Sequence, residues 1–351
     1  MRFLKPITLL LGPNNYGKSS IISGFRILSQ TVKSYDNNVP LLLNGEMGDF
    51  GSYGDIVYKN SKRRKIEIKF SIEPFDWDRS MLSLKSKQSI GLSMKFSYRS
   101  KLQELILSEC TMNKHNSILI QSKYSDDSER QSINIIADKE LPQAVMGQIS
   151  RKLRMKNFMP IRIIGVFPNS DESQLNQFYK VLEKTNFEIT RMSHYLQNTL
   201  ENIEYVGAMR VAPSRLFLYS GEKRQHVGAN GENSINILAM DNLRKGSRAK
   251  GILSNVIEWL NSAGIASDVK MVKLSDRYYE IHFQHPETKE YQNFADVGYG
   301  NSQVIPVLVA GFNLADGSLF LVEEPEIHLH PRAQAELGNF FSVFIKGIYN
   351  P

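Results

Sequence analysis

The sequence predicts an α/β fold in which a parallel core carries an antiparallel β-layer and a helical insertion. Near the N-terminus, a short apolar run, a glycine-containing loop and a helical pattern follow one another directly. Near the C-terminus, a second apolar stretch, residues 318–322, ends in adjacent acidic residues. Between these ends, apolar and polar residues alternate over several segments, which is typical of antiparallel strands.

The N-terminal pattern predicts a phosphate-binding site. Residues 7–11 are mainly apolar and predict a buried strand, which leads into the Walker A or P-loop pattern G-x-x-x-x-G-K-S from Gly12 to Ser19. Gly12 and Gly17 allow the backbone to wrap closely around phosphate. Lys18 is expected to reach the β- and γ-phosphates of ATP, and Ser19 to ligate Mg²⁺. The predicted nucleotide-binding residues of this loop are Gly12, Asn14, Asn15, Gly17, Lys18, Ser19 and Ser20.

The acidic residues that follow the second apolar stretch predict the other half of this site. Carboxylates at the carboxyl end of a buried parallel strand lie where open α/β sheets bind ligands. Glu323 is expected to hold Mg²⁺ through water, and Glu324 to polarise the attacking water. The predicted metal ligands are therefore Ser19 and Glu323, and the predicted catalytic residues are Glu324 and Lys18.

A second glycine loop lies shortly before the acidic strand. It contains Gly298 and Gly300, and Ser302 is a favourable N-cap for a helix that begins near Gln303. A glycine loop at a helix N-terminus can bind an anion. Gly298, Gly300, Ser302 and Gln303 are therefore predicted to contact a nucleotide phosphate.

Together these motifs resemble those of the ABC-type ATPases of the OLD and RecF-like branch and, more narrowly, of bacterial AAA ATPases associated with phage defence and DNA metabolism. The resemblance assigns residues 298–303 to the signature loop, Glu323 to the Walker B acid and Glu324 to the catalytic glutamate. Residues 327–330, Ile-His-Leu-His, match the D-loop at a dimer interface. The resemblance implies a P-loop ATPase head whose signature loop caps the γ-phosphate bound by a partner, so that a homodimer encloses two ATP molecules. Three further segments look like family blocks: residues 49–55, 205–213 and 227–233.

The sequence departs from this family at both ends. Only residues 1–6 precede the predicted strand, where relatives have one or two strands. After the acidic strand and its helix, relatives have another strand with a Thr-His or Ser-His switch. That switch strand and a nuclease domain are expected to be missing, because the sequence ends at Pro351. Hydrolysis is therefore expected to be slow, unless the missing parts belong to the native gene or to another subunit.

The middle of the chain mainly predicts strands and helices, and not a catalytic site. Apolar residues alternate from residue 65 to residue 136, which predicts antiparallel strands. A long helix is predicted from Asp171 towards Gly207, with apolar residues at steps of three and four. Such a seam fits a helical arm or coiled coil, but an amphipathic helix that lies on the head is favoured. An amphipathic helix, residues 252–260, and a small meander, residues 269–294, are predicted before the signature loop.

Composition narrows the class of protein. The chain has 351 residues, of which 41% are hydrophobic and 23% charged, so disorder, collagen and a coiled-coil rod are excluded. A single cysteine, Cys110, excludes a disulfide framework and a thiolate zinc site, which fits a reducing cytoplasm. The longest apolar run, residues 304–312, is too short to span a membrane, and the N-terminus does not resemble a signal peptide. A cytoplasmic protein without membrane contact is therefore expected. The predicted domains are an N-terminal head part (1–60), the β-layer (61–168), the helix or arm insertion (169–205) and a C-terminal head part (206–351).

The charge of the chain permits a nucleic-acid partner without requiring one. The net charge is +7, and basic clusters occur at residues 62–65, 151–156 and 244–250. Each cluster is a candidate contact for DNA phosphates, although such clusters are more often solvated faces. The sequence favours an ATPase whose ATP-dependent homodimer, or higher oligomer, controls nucleic-acid processing in phage defence together with a separate nuclease or effector.

Two alternatives to this function stay open. One is a RecF-like repair or recombination ATPase that clamps DNA itself, and the other is an ATP-binding scaffold that does not turn over. A transporter subunit is disfavoured, because the sequence Leu-Ser-Gly-Gly-Gln does not occur in the chain.

Overall fold

The chain folds into two compact units, Ser23–Asn202 and Met1–Ile22 together with Ile203–Pro351. We call the first the inserted unit and the second the core unit. The computed structural model describes residues 4–13, 16–74, 76–82, 84–85, 88–124, 131–135, 150–166, 172–218, 221–244 and 250–348. None of the helices within these ranges is both long enough and apolar enough to cross a bilayer.

The inserted unit contains an antiparallel sheet of five strands that follow one another in chain order across the sheet. Helix α1 (Lys18–Val32), the short strands β1 (Asn44–Gly45) and β2 (Gly48–Asp49) and helix α2 (Tyr53–Ile56) precede it. The sheet consists of β3 (Ile66–Ile72), β4 (Ile90–Arg99), β5 (Glu104–Lys114), β6 (Ser117–Tyr124) and β7 (Gln131–Ile135), with helix α3 (Asp76–Leu82) between the first two. Alternate residues of β4, namely Leu92, Met94 and Phe96, are buried. The antiparallel layer predicted from the alternating pattern is thus confirmed.

A long helix completes the inserted unit. Strands β8 (Ser150–Lys156) and β9 (Met159–Val166) form a hairpin, and helix α4 (Glu172–Glu201) packs against β9. The side chain of Asn186 accepts a hydrogen bond from the backbone N–H of Ile163 at 2.6 Å and donates to its carbonyl at 3.0 Å. The apolar seam of the helix is buried, as expected for an amphipathic helix rather than a free arm: Phe178, Leu182, Ile189, Met192 and Leu196. The helix ends at Glu201, before the predicted limit of Gly207, because Ile203 begins the following strand.

The core unit is built around two parallel strands. Strand β10 (Ile203–Val206) pairs in parallel with the strand that carries the acidic residues. The remaining elements are strands β11 (Phe217–Leu218), β12 (Asp268–Lys273), β13 (Tyr278–Gln284), β14 (Tyr291–Asn293) and β15 (Leu319–Val322), with helices α5 (Ser234–Leu243), α6 (Ile252–Ser262), α7 (Tyr299–Asn313) and α8 (Pro331–Ile348). Strands β11 to β14 form a small antiparallel sheet, which confirms the predicted meander, and α6 confirms the predicted amphipathic helix.

The N-terminal strand prediction is wrong. Residues 7–11 form no strand, and Leu9 and Leu11 are 76% and 87% exposed. A strand is held by hydrogen bonds to a neighbouring strand. In the described part of the core unit, β10 and β15 pair only with each other, so the apolar run has no ladder partner. For the same reason β15, predicted as fully buried, is only half-buried along its length.

Candidate functional site

The P-loop, residues 12–19, has the backbone conformation that its glycines permit. Gly12 has φ 151° and Gly17 has φ 82°, values that residues with a side chain rarely adopt. No atom lies within 4 Å of a Cβ placed on either glycine, so the glycines serve the conformation of an open loop and not a close contact. The Lys18 ammonium donates to the carbonyl oxygens of Gly12 at 2.6 Å and Pro13 at 2.8 Å. The cation is therefore folded back over the loop.

The other predicted residues of the loop lie around the start of α1. Ser19 and Ser20 are exposed in the first helical turn, where backbone N–H groups have no partner within the helix. This helix end can donate to phosphate oxygens and carries the positive end of the helix dipole. Asn14 and Asn15 lie outside the described residues.

The acidic turn, residues 323–326, continues the parallel ladder and then leaves it. The backbone N–H of Glu323 donates to the carbonyl of Val206 at 2.9 Å, and the Tyr205 hydroxyl donates to Glu323 Oε1 at 3.3 Å. Glu323 is half-buried, whereas Glu324 is exposed and has φ 45°. The left-handed conformation turns the chain away from the sheet at the residue that is predicted to act on water.

The helix at the signature loop begins earlier in the chain than predicted. Helix α7 starts at Tyr299 with Gly298 as its N-cap residue, so the prediction that Ser302 caps the helix is wrong. The physical reason is that Gly298 already has the extended conformation of a cap, at φ −44° and ψ 139°. Ser302 and Gln303 are consequently buried inside the first turns, with 4% and 2% of their surface exposed.

A close approach joins the signature loop to the D-loop, residues 327–330. A Cβ on Gly300 would overlap the carbonyl oxygen of His328. His328 itself has φ 60°, so both backbones are shaped to meet at this point. Gly300 is thus needed for the contact between the two loops, in addition to its predicted place near a phosphate.

A buried arginine connects these motifs. Arg210 is 6% exposed, and its Nη2 donates to the carbonyls of Glu323 at 2.7 Å and Glu324 at 3.1 Å. Its Nη1 donates to the carbonyl of Gln303 at 3.3 Å. Burial lowers the pKa of the Arg210 guanidinium, and the negative charges of Glu326 and Glu324 oppose that shift. The sequence places Arg210 in a family block but does not assign it this role; its only local signal is a cationic residue shortly after an apolar strand.

A comparison with known families identifies the family of the chain. A profile described as the AAA ATPase domain matches residues 1–346. The chain belongs to the AAA ATPase domain family. A search of curated proteins finds no match. Family membership supports an α/β P-loop NTPase fold, ATP binding and ATPase activity.

The core unit of this AAA ATPase brings three of its predicted motifs together. The acidic turn, the signature loop and the D-loop are joined through Arg210 and Gly300. The predicted composite site of P-loop and acidic turn stays a prediction.

The donor atoms fit a nucleotide-bound Mg²⁺ better than a metal held by protein alone. Within the described ranges, no cluster of three His, Cys, Asp or Glu side chains is arranged for a metal ion. Mg²⁺ in nucleotide sites keeps several waters and takes phosphate oxygens, so it needs only one or two protein ligands. The Ser19 hydroxyl and the Glu323 carboxylate are oxygen donors of the kind that Mg²⁺ prefers.

Proposed function

We propose that this AAA ATPase is an ABC-type ATPase whose ATP-dependent head-to-tail dimer regulates nucleic-acid processing. In this proposal it is the ATPase component of a phage-defence system that acts with a separate nuclease or effector. Lys18 and the first turn of α1 bind the phosphates, Ser19 and Glu323 hold Mg²⁺, and Glu324 accepts a proton from the attacking water. The metal, when bound, neutralises charge on the phosphates.

One observation carries the dimer proposal. The signature loop is bound to the acidic turn and the D-loop of its own chain, whereas the described P-loop residues are exposed apart from the half-buried Lys18. A nucleotide on the P-loop is thus left open to the signature loop of a second copy, which a head-to-tail dimer supplies.

The dimer is tested at Gly298, which is exposed at the N-cap of α7. Gly298→Asp supplies a good N-cap and suits the helix dipole, so the fold is expected to persist. The carboxylate would face the γ-phosphate of the partner's ATP, and such like-charge juxtaposition costs several kcal/mol. We expect light scattering with a non-hydrolysable ATP analogue and Mg²⁺ to show a dimer for the wild type and a monomer for this variant.

Gly298→Asn is the matched control, because it has the same size and capping ability without the charge. It is expected to dimerise like the wild type. A wild-type protein that stays monomeric at saturating analogue would reject the proposed dimer. Equal dimerisation of the Asp and Asn variants would remove the signature loop from the interface. Ser302 is unsuitable for this experiment, since its burial makes any large substitution a test of packing.

A specific surface of the inserted unit favours the second candidate function, in which the ATPase clamps nucleic acid directly. Tyr58 is 68% exposed, and its ring has Lys59 Nζ at 5.5 Å and Arg64 Cζ at 5.2 Å from the centroid. Lys62 Nζ lies 4.9 Å from the centroid of Tyr98. Tyr98 is half-buried, so Tyr58 is the exposed ring of this surface. An exposed aromatic ring among cations is the arrangement with which proteins bind single-stranded nucleic acid. In the third basic cluster, Lys245 and Arg248 lie outside the described residues.

If the ATPase binds nucleic acid directly, a substitution on this surface should lower its affinity for nucleic acid. Tyr58→Ala is expected to weaken binding of single-stranded DNA by about 5- to 100-fold, because stacking of one base contributes about 1–3 kcal/mol. Tyr35→Ala is the control, since Tyr35 is an exposed tyrosine of the inserted unit outside this surface. The affinity should also fall with salt, by about one log unit per phosphate contact for each log unit of salt. Absence of binding at low salt with ATP would reject the clamp and leave a protein as the target.

A further inference from the structure

We infer that Arg210 is a positioning residue that couples the signature loop to the catalytic Glu324. Through it, capping of the partner's nucleotide sets the rate at which a chain hydrolyses its own ATP. The inference rests on the proposed function, since it assumes that the signature loop acts on a second chain.

Arg210 holds the backbone on both sides of Glu324. The carbonyls of Glu323 and Glu324 belong to the two peptide groups that flank the Glu324 Cα, and Arg210 Nη2 binds both. The two bonds therefore fix both backbone angles of a residue whose φ of 45° is rare outside glycine. Such a conformation persists only where its surroundings determine it. Arg210 thereby sets the direction in which the Glu324 side chain leaves the backbone.

Arg210 is also bound to helix α7, at whose N-terminal end the signature loop lies. Arg210 Nη1 binds the Gln303 carbonyl, and Gln303 Nε2 donates back to the Val211 carbonyl at 3.4 Å. The segment after β10 and the first turns of α7 are therefore linked in both directions. A shift of α7 on contact with a phosphate changes the geometry at the guanidinium, and the same group holds the peptides around Glu324.

The geometry of the guanidinium group explains why this buried position holds an arginine. Burying a charge for packing alone is unfavourable, and apolar side chains of similar volume usually stabilise a core better. Within the described structure, Arg210 Nε is buried without a hydrogen-bond partner, so the site is not arranged to satisfy the whole side chain. The guanidinium provides a planar fork whose two nitrogens reach three carbonyls in fixed directions, whereas the three donors of a lysine radiate from one nitrogen.

The test is a double-mutant cycle on kcat with Arg210→Lys and Ser302→Ala, at protein concentrations where the dimer is complete. Arg210→Lys keeps the charge and removes the fork. We expect the dissociation constant for ATP and the mass of the nucleotide-bound dimer to stay near wild type. We expect kcat to fall by about 10- to 100-fold, since a small misplacement of a catalytic group has effects of this size. Ser302→Ala should lower kcat in the wild type and have little further effect in Arg210→Lys.

Arg332→Lys is the matched control, because Arg332 also donates to a backbone carbonyl, that of Ser262 at 3.0 Å, in the same unit. Its effect on kcat should be small and should multiply with that of Ser302→Ala. Multiplicative effects of Arg210→Lys and Ser302→Ala would overturn the inference while the proposed function stands. A wild type that does not dimerise would instead reject the proposed function. If Arg210→Lys does not fold, Arg210→Gln enters the same cycle, since its amide donates to a carbonyl without a buried charge.

Discussion

Replacing Glu324 with Gln is expected to lower the rate of ATP hydrolysis by about 10² or more, the usual contribution of a positioned general base. Glu324 is exposed on a turn whose two flanking peptides are held by Arg210, so the direction of its Cα–Cβ bond is fixed. Gln has nearly the same size and still forms hydrogen bonds, but it does not accept the proton of the attacking water. Steady-state phosphate release measures the loss, and binding of a fluorescent ATP analogue should remain.

The same variant should accumulate the nucleotide-bound dimer, because its ATP is not consumed. Sizing in ATP and Mg²⁺ is expected to show a more persistent dimer than for the wild type. Asp316→Asn is the matched control, since Asp316 is an exposed acid just before the opposite end of β15. Its hydrolysis should equal that of the wild type. Undiminished hydrolysis in Glu324→Gln would remove Glu324 from the reaction, and a wild type without hydrolysis would favour the scaffold.

Replacing Lys18 with Ala is expected to abolish tight ATP binding and with it all downstream activity. The Lys18 ammonium lies against the Gly12 and Pro13 carbonyls, over the loop where the β- and γ-phosphates are predicted to bind. We expect ATP affinity to fall by about 30-fold or more, because removing one partner of a close charge pair costs about 2–5 kcal/mol. Isothermal titration calorimetry with ATP and Mg²⁺ measures the change.

Lys5→Ala is the control for this prediction, because it removes a lysine from the same N-terminal segment outside the P-loop. The thermal unfolding midpoint of both variants should stay close to that of the wild type, since neither lysine is buried. Unchanged ATP affinity in Lys18→Ala would reject the assignment of the P-loop.

Local patterns were sufficient to predict the elements whose buried face can be read from the spacing of their apolar residues. Helix α4 follows from its apolar spacing, and the strands from β3 to β7 follow from alternation, because these patterns state which face is buried. The run at residues 7–11 shows the limit of such reasoning. Its composition is that of a strand, but a strand exists only where another strand offers a ladder, and that partner is not encoded locally.

The candidate site, too, was predictable from the sequence only in part. Residue types and spacing alone identify a P-loop, an acidic turn and a glycine loop, because phosphate binding and proton transfer demand particular side chains at short range. They do not show that Gly300 meets His328, or that Arg210 binds carbonyls of residues far along the chain. The contacts of Arg210 join segments about a hundred residues apart through backbone carbonyls, which carry no sequence signal. Only folding in three dimensions decides them.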